Sequence, residues 1–143
     1  MKPSGLDQNI IFLCAEFSHR FSQVLAAEFK THNIDVTAEQ FSILVVLWYK
    51  DGISQKEISE QLNRDKTTVT RVLMNMKKNK LIRQVTDAAD NRSNLVYLTA
   101  KGKEVQKAGV RISGELYMKV LKGIPQSQLQ TGIGVLQKMT HAL

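Results

Sequence analysis

Two short helices, each opened by its own capping residue and separated by only two residues, constrain this chain more than any other feature. In Ser54-Gln55-Lys56-Glu57-Ile58 the Ser54 hydroxyl can accept the Glu57 N–H while the Glu57 side chain returns a bond to the Ser54 backbone, a capping box. Ile53 and Ile58 flank that cap at the positions of a hydrophobic staple, and Ile58 and Leu62 anchor a helix that ends near Asn63. Asp65 then caps a second helix, residues 65–78, whose Val69, Val72, Leu73 and Met76 fall at i, i+3, i+4 and i+7 and define its inner side. A short capped helix, a tight turn and a second amphipathic helix form a helix-turn-helix.

The flanks extend this unit. Upstream, Thr37-Ala38-Glu39-Gln40 is another capping box, opening a helix over residues 38–50 that is apolar at Phe41, Leu44, Val45, Leu47 and Trp48 and stops at Asp51-Gly52. Trp48 is expected in the core. Downstream, residues 81–86 and 94–98 are rich in Ile, Val, Thr and Tyr and predict two strands around a polar loop, residues 87–93, with Arg92 near its tip. Two strands and a projecting loop after such a helix make a wing. Asp90 is expected to hold Arg92 or the wing backbone, because a carboxylate beside phosphate would be repelled.

Both ends of the chain predict amphipathic helices. Between residues 6 and 29 the stripe runs Ile10, Cys14, Phe17, Phe21, Val24 and Glu28, and near the other end Leu129, Ile133, Leu136, Thr140 and Leu143 repeat the pattern. Gly123-Ile124-Pro125 divides the last helix from the one before it. One small domain has little room to hide both stripes, so a homodimer is expected. The fold class is therefore mostly α with a small β wing: a winged helix-turn-helix core at residues 37–99, flanked by dimerisation helices at residues 1–36 and 100–143.

Charge separates a nucleic-acid partner from simple solubility. The chain carries a net +7, and residues 63–83 alone hold seven basic side chains against one acidic, a net of +6. An excess that local points to a polyanion. With the apolar residues of the second helix turned inward, its opposite side shows Thr67, Arg71, Met74 and Lys78, with Thr68, Thr70 and Asn75 on the flanks. Small hydroxyl side chains permit close approach to a groove, and the Arg71 fork matches guanine O6 and N7. Ser54 and Lys66 complete the expected DNA-binding set, and Arg92 is placed to enter a narrow, A·T-rich minor groove.

These residues carry a resemblance to the MarR family of transcriptional regulators, covering nearly the whole chain from Leu6 to the last helix. It lies in Thr37-Ala38-Glu39-Gln40-Phe41 with Leu44 and Leu47, in residues 54–62, in Thr68-Val69-Thr70-Arg71, and most specifically in the wing pattern Asp87-x-x-Asp90-x-Arg92-Ser93 followed by Leu98-Thr99-x-Lys101-Gly102. The resemblance implies a homodimer with interlocking first and last helices, a palindromic double-stranded DNA operator, and release of DNA when a small ligand or an oxidant acts. It further implies contacts from Thr67, Thr68, Thr70 and Arg71 in the major groove and Arg92 in the minor groove. One departure stands out: Lys80, preceded by Asn79, occupies the place where the family usually has Gly. A left-handed residue there costs Lys about 1 kcal/mol, so the turn is expected to shift onto Asn79.

Two sensing mechanisms remain open. A small apolar or anionic ligand could sit between the helical base and the DNA-reading module against Phe17, His19, Arg20, Phe21 and Trp48, where Arg20 would suit a carboxylate. Alternatively Cys14 is a redox switch, although it falls on the apolar stripe without an evident cationic neighbour to favour its thiolate. A winged-helix module that mainly binds protein is a further alternative, but it would not need the basic concentration. Catalysis and metal binding are not expected: His19, His32 and His141 are far apart, no ligand spacing or glycine-rich phosphate loop exists, and no cofactor is implied. One cysteine, no leader pattern at residues 1–5 and a longest apolar run of only residues 43–49 predict a cytoplasmic protein without a membrane span.

Overall fold

The computed structural model describes residues 5–143; residues 1–4, on which part of the leader reading rests, lie outside them. The chain forms two compact units, the first running to Ser113 and the second from Gly114 to Leu143. In order, the elements are a 3-10 turn (Leu6–Gln8), α1 (Ile10–Thr31), α2 (Ala38–Tyr49), β1 (Ile53–Ser54), α3 (Gln55–Leu62), α4 (Lys66–Lys78), β2 (Ile82–Thr86), β3 (Asn94–Leu98), α5 (Ala100–Val120) and α6 (Gln126–His141).

The first helix starts later than its periodicity suggested. Asn9 accepts the backbone N–H groups of Ile11 and Phe12 at 3.0 and 3.1 Å, so α1 opens at Ile10 and Leu6–Gln8 is a separate turn. Its buried residues are Leu25 and Phe29, with Cys14 and Phe21 half-buried. The expected stripe is thus only partly covered: Ile10, Phe17 and Val24 are exposed, as are Ile11, Phe12 and Leu13 beside it. Phe29 meets Phe41 of α2 edge to face, with ring centroids 4.9 Å apart.

Thr37 and Gln40 close their capping box in both directions, at 3.1 and 3.0 Å, and α2 buries Phe41, Ile43, Leu44 and Leu47. Trp48 departs from expectation. It is 51% exposed, because the end of α2 carries it out beside Tyr49 and Lys50 while Leu44 and Leu47 take the core side. The second expected box is half formed. Ser54 accepts from Glu57 N at 3.1 Å, but the Glu57 carboxylate reaches Lys50 at 3.8 Å.

The helix-turn-helix follows as its apolar pattern dictates. Ile53 and Ile58 are both buried, and all four inner residues of α4, Val69, Val72, Leu73 and Met76, are at most 4% exposed. Burying each of these side chains supplies about 1.5–3 kcal/mol. Between the helices Asn63 adopts a left-handed conformation (φ 48), and Arg64 N–H returns to Ser59 O at 3.1 Å, which satisfies the end of α3. Asp65 caps α4, accepting from Thr68 N at 2.9 Å.

Lys80, not Asn79, takes the left-handed conformation after α4, with φ 60. Lys80 N–H donates to Lys77 O at 3.0 Å and Leu81 N–H to Met76 O at 2.9 Å, the paired bonds of a Schellman motif. Buried Met76 and Leu81 supply its apolar contact, and seating Leu81 in the core requires the turn to fall on Lys80. The wing register is then set. β2 pairs antiparallel with β3 from Ile82↔Leu98 to Thr86↔Asn94, and β3 also pairs with β1 through Ile53↔Val96 and Ser54↔Leu95, giving the order β1-β3-β2. A two-residue strand contributed by the cap of α3 has no sequence period of its own.

The N-terminal part of α5 returns over the core. Buried Gln106 donates to Leu44 O at 2.6 Å, and Gly109 faces the Phe41 ring so closely that a Cβ would lie 2.8 Å from it. In the second unit, Gly123 (φ 84) turns the chain before Pro125, and no α6 residue is buried. Among the described residues, no helix is long and apolar enough to cross a membrane.

Candidate nucleic-acid interface

The outward side of α4 forms a shallow surface of Lys66, Thr67, Thr70, Arg71, Met74 and Asn75. All are exposed except Thr70, which is half-buried. Lys78 is exposed at the C-terminal end of the same helix, where Lys77 and Lys78 oppose its dipole. Lys101 adds a third cation there, its ammonium donating to Asn79 O at 3.1 Å.

Hydrogen bonds decide which hydroxyls are free. Thr67 has its side chain on the exposed face. Thr70 donates to Lys66 O at 2.8 Å and also accepts from the Gln55 amide, a bond that ties α3 to α4. Thr68 donates to Asp65 at 2.6 Å and lines a different pocket, with Ser18, Ser22 and Val72, away from the outward surface. The same donation from Thr68, reinforced by its backbone N–H, holds the Asp65 carboxyl below the ordinary carboxylate range. Ser54 is committed to capping α3.

Arg71 has a partner that sequence spacing did not suggest. Its Nη2 lies 3.1 Å from Oε2 of Glu39 in the first turn of α2, with both side chains more than half exposed. Glu39 and Gln55 were overlooked because each sits in a capping segment and acts on a residue 32 or 15 positions away. No helical or strand period relates such pairs.

The wing loop is folded by its own carboxylates. Asp90 accepts the Arg92 backbone N–H at 3.0 Å, Asp87 accepts the Ala89 N–H at 2.9 Å, and Asp87 N–H closes the loop on Ser93 O at 2.9 Å. Asp90 therefore holds the wing backbone, and Arg92 is exposed at the tip. On the strands, Arg83 stacks over Tyr97 with 4.7 Å to the ring centroid, and Gly52 (φ 70) makes room for that ring.

Among the expected sensor residues, Phe17 and Phe21 meet with ring centroids 5.8 Å apart. Phe21 lines an apolar cavity of about 330 Å³ with Leu25, Phe29, Phe41, Val45 and Val46, but Phe17, His19, Arg20 and Trp48 are not part of its wall. Phe17, His19, Arg20 and Trp48 are exposed, and Arg20 pairs with Glu16 at 3.6 Å. Cys14 is half-buried on α1. Among the described residues, no group of three or more His, Cys, Asp or Glu side chains could hold a metal ion.

A capped helix-turn-helix with a three-stranded wing and a basic outward helix defines a winged-helix DNA-binding regulator. The MarR family model matches residues 36–93, and over that region the chain is similar to that family of transcriptional regulators. It is 31% identical over 101 residues to the HTH-type transcriptional regulator TtmR of Methylorubrum extorquens (strain PA1), a match covering 71% of this chain and 51%, about half, of that protein. It is 28% identical over 107 residues to the transcriptional regulator HosA of Escherichia coli O157:H7, covering 75% and 79% of the two chains. The solved structure of the S. aureus MepR–DNA complex is similar with a TM-score of 0.85 at 27% identity, covering 94% of this chain and 98% of that one.

Proposed function

We propose that this regulator is a dimeric repressor that reads a palindromic operator through the outward face of α4 and leaves it when a small apolar ligand binds. The observation that carries this reading is the exposed surface of Lys66, Thr67, Arg71 and Asn75, together with a wing tip whose backbone is braced and whose Arg92 is exposed. In it, Arg71 and Thr67 meet base edges, Lys66 and Lys78 meet phosphates, and Arg92 enters the minor groove. Thr70 contributes through its remaining acceptor lone pair. Thr68 and Ser54 act as caps that aim the helices.

Exposed apolar side chains support the dimer. Ile10, Ile11, Phe12, Leu13, Phe17 and Val24 on α1 and Ile133, Val135 and Leu136 on α6 stand in solvent in the single chain, more apolar surface than a monomer leaves uncovered. In this reading residues 1–36 and 100–143 form the dimer base around the DNA-reading residues 37–99.

The cavity of about 330 Å³ supports an apolar effector. Its wall is aliphatic and aromatic apart from Ser22, Ser42 and Ser113, with no charged side chain among the described residues. A neutral, largely hydrophobic molecule fits that wall, whereas a carboxylate would be desolvated there without a partner.

Selection from random duplex DNA by the purified protein at two salt concentrations tests the proposal. A recovered palindrome bound by one dimer, with half-site centres spaced by about 10 bp or a multiple of it, supports it. Weak binding without a motif overturns operator reading. Release of the selected duplex by neutral apolar compounds, but not by their carboxylate analogues, tests the ligand.

A further inference from the structure

The pair formed by Glu39 and Arg71 brings an acid to the edge of a surface otherwise built to attract DNA. Asp65, the N-cap of α4, is the other carboxylate beside that helix in sequence, and its oxygens are taken by Thr68. Glu39 instead reaches from α2 across to the recognition helix and takes one Nη2 donor of Arg71 at 3.1 Å. A guanidinium has five N–H donors, so a free edge remains for an acceptor on the DNA.

We propose that Glu39 is a specificity-determining residue that acts through Arg71, favouring a neutral base edge over a phosphate as its DNA partner. This rests on the reading of Arg71 as a base contact. The physical reason is charge. A phosphate drawn to Arg71 brings its negative charge against the Glu39 carboxylate, and the pair must be broken or the repulsion borne. Guanine O6 and N7 are neutral acceptors and can take the free edge of the fork while Glu39 keeps its bond. The carboxylate also fixes the fork before DNA arrives, so less side-chain freedom is lost when the base contact forms. On non-cognate DNA the same arrangement withholds one cation from the phosphates, which lowers affinity where the sequence is wrong.

The test compares the wild type, Glu39→Gln, Arg71→Ala and the double variant on the selected operator and on random-sequence duplex of equal length, across a salt series. Glu39→Gln is expected to raise affinity for random duplex about two- to fivefold, the range for an exposed ion pair. It is expected to steepen the salt dependence by about one phosphate per protomer and to relax preference at the base pair read by Arg71. Glu39→Asp, which keeps the charge, is expected to hold the salt slope near that of the wild type. In the Arg71→Ala background, adding Glu39→Gln is expected to change nothing.

An equal gain in that background would overturn the proposal, since the acid would then act as bulk charge. So would an unchanged random-duplex affinity and salt slope in Glu39→Gln while Arg71→Ala relaxes specificity; that result leaves the recognition face intact. If Arg71→Ala keeps the wild-type sequence preference, the recognition-face reading fails and this inference fails with it. Both side chains are exposed, and matching denaturation midpoints verify that the variants share one fold.

Discussion

Gly102→Ala tests how the wing is anchored to the rest of the first unit. A Cβ on Gly102 would lie 1.9 Å from Leu81 O and 2.9 Å from the Leu81 carbonyl carbon, so the first turn of α5 and the start of the wing must separate by more than about 1 Å. Three hydrogen bonds meet at this junction. Thr99 N–H donates to Leu81 O at 3.1 Å, the Thr99 hydroxyl donates to Lys80 O at 2.6 Å, and Gly102 N–H donates to the Thr99 hydroxyl at 2.9 Å. Overpacking against backbone costs about 1–3 kcal/mol, and one weakened hydrogen bond adds about 1 kcal/mol. A loss of roughly 2–4 kcal/mol is expected, read as a lower urea midpoint at fixed protein concentration with unchanged slope. Operator affinity should fall as well, because Leu81 leads directly into β2. A midpoint corresponding to less than about 0.5 kcal/mol of destabilisation would refute the close approach and the wing register built on it.

Other expectations follow from single contacts. Lys80→Gly should stabilise the fold by up to about 1 kcal/mol, because Gly removes left-handed strain while both Schellman bonds are made by the backbone; a lower denaturation midpoint would contradict that account. Asp65 titrates below its ordinary value of 3.8 because Thr68 bonds its charged form, so its contribution to folding is fully present above that value and is lost as pH falls through the lowered value. In acid titrations followed by circular dichroism, Asp65→Asn should flatten the lowest-pH part of the stability profile, and an unchanged profile would remove Asp65 from it. Arg92→Ala should weaken operator binding most where the flanks are A·T-rich, and equal loss on every flank would make Arg92 a general phosphate contact.

Helix α4 is legible in the sequence because its information is local. Asp65, the i, i+3, i+4, i+7 spacing of Val69, Val72, Leu73 and Met76, and the basic cluster around them each act within a few residues. The same holds for the Thr37 capping box and for Asp90, whose carboxylate serves a backbone group two residues away. The wing strands showed through their composition, and their loop through its polarity.

Tertiary structure decided what depends on distant partners. The sequence marked a strained turn after α4, but only the need to bury Leu81 against Met76 put the left-handed residue at Lys80 and not at the more permissive Asn79. Trp48 looked like core by spacing and stands half exposed because Leu44 and Leu47 already occupy the buried side of α2. The apolar cavity drew one of the five expected sensor residues, since a pocket wall is assembled from helices far apart in the chain. Glu39 is the sharpest case: its capping-segment context describes α2, while its carboxylate belongs to α4. Sequence period reports which side of a helix is apolar, and only packing determines what that side, or a charge at its edge, will meet.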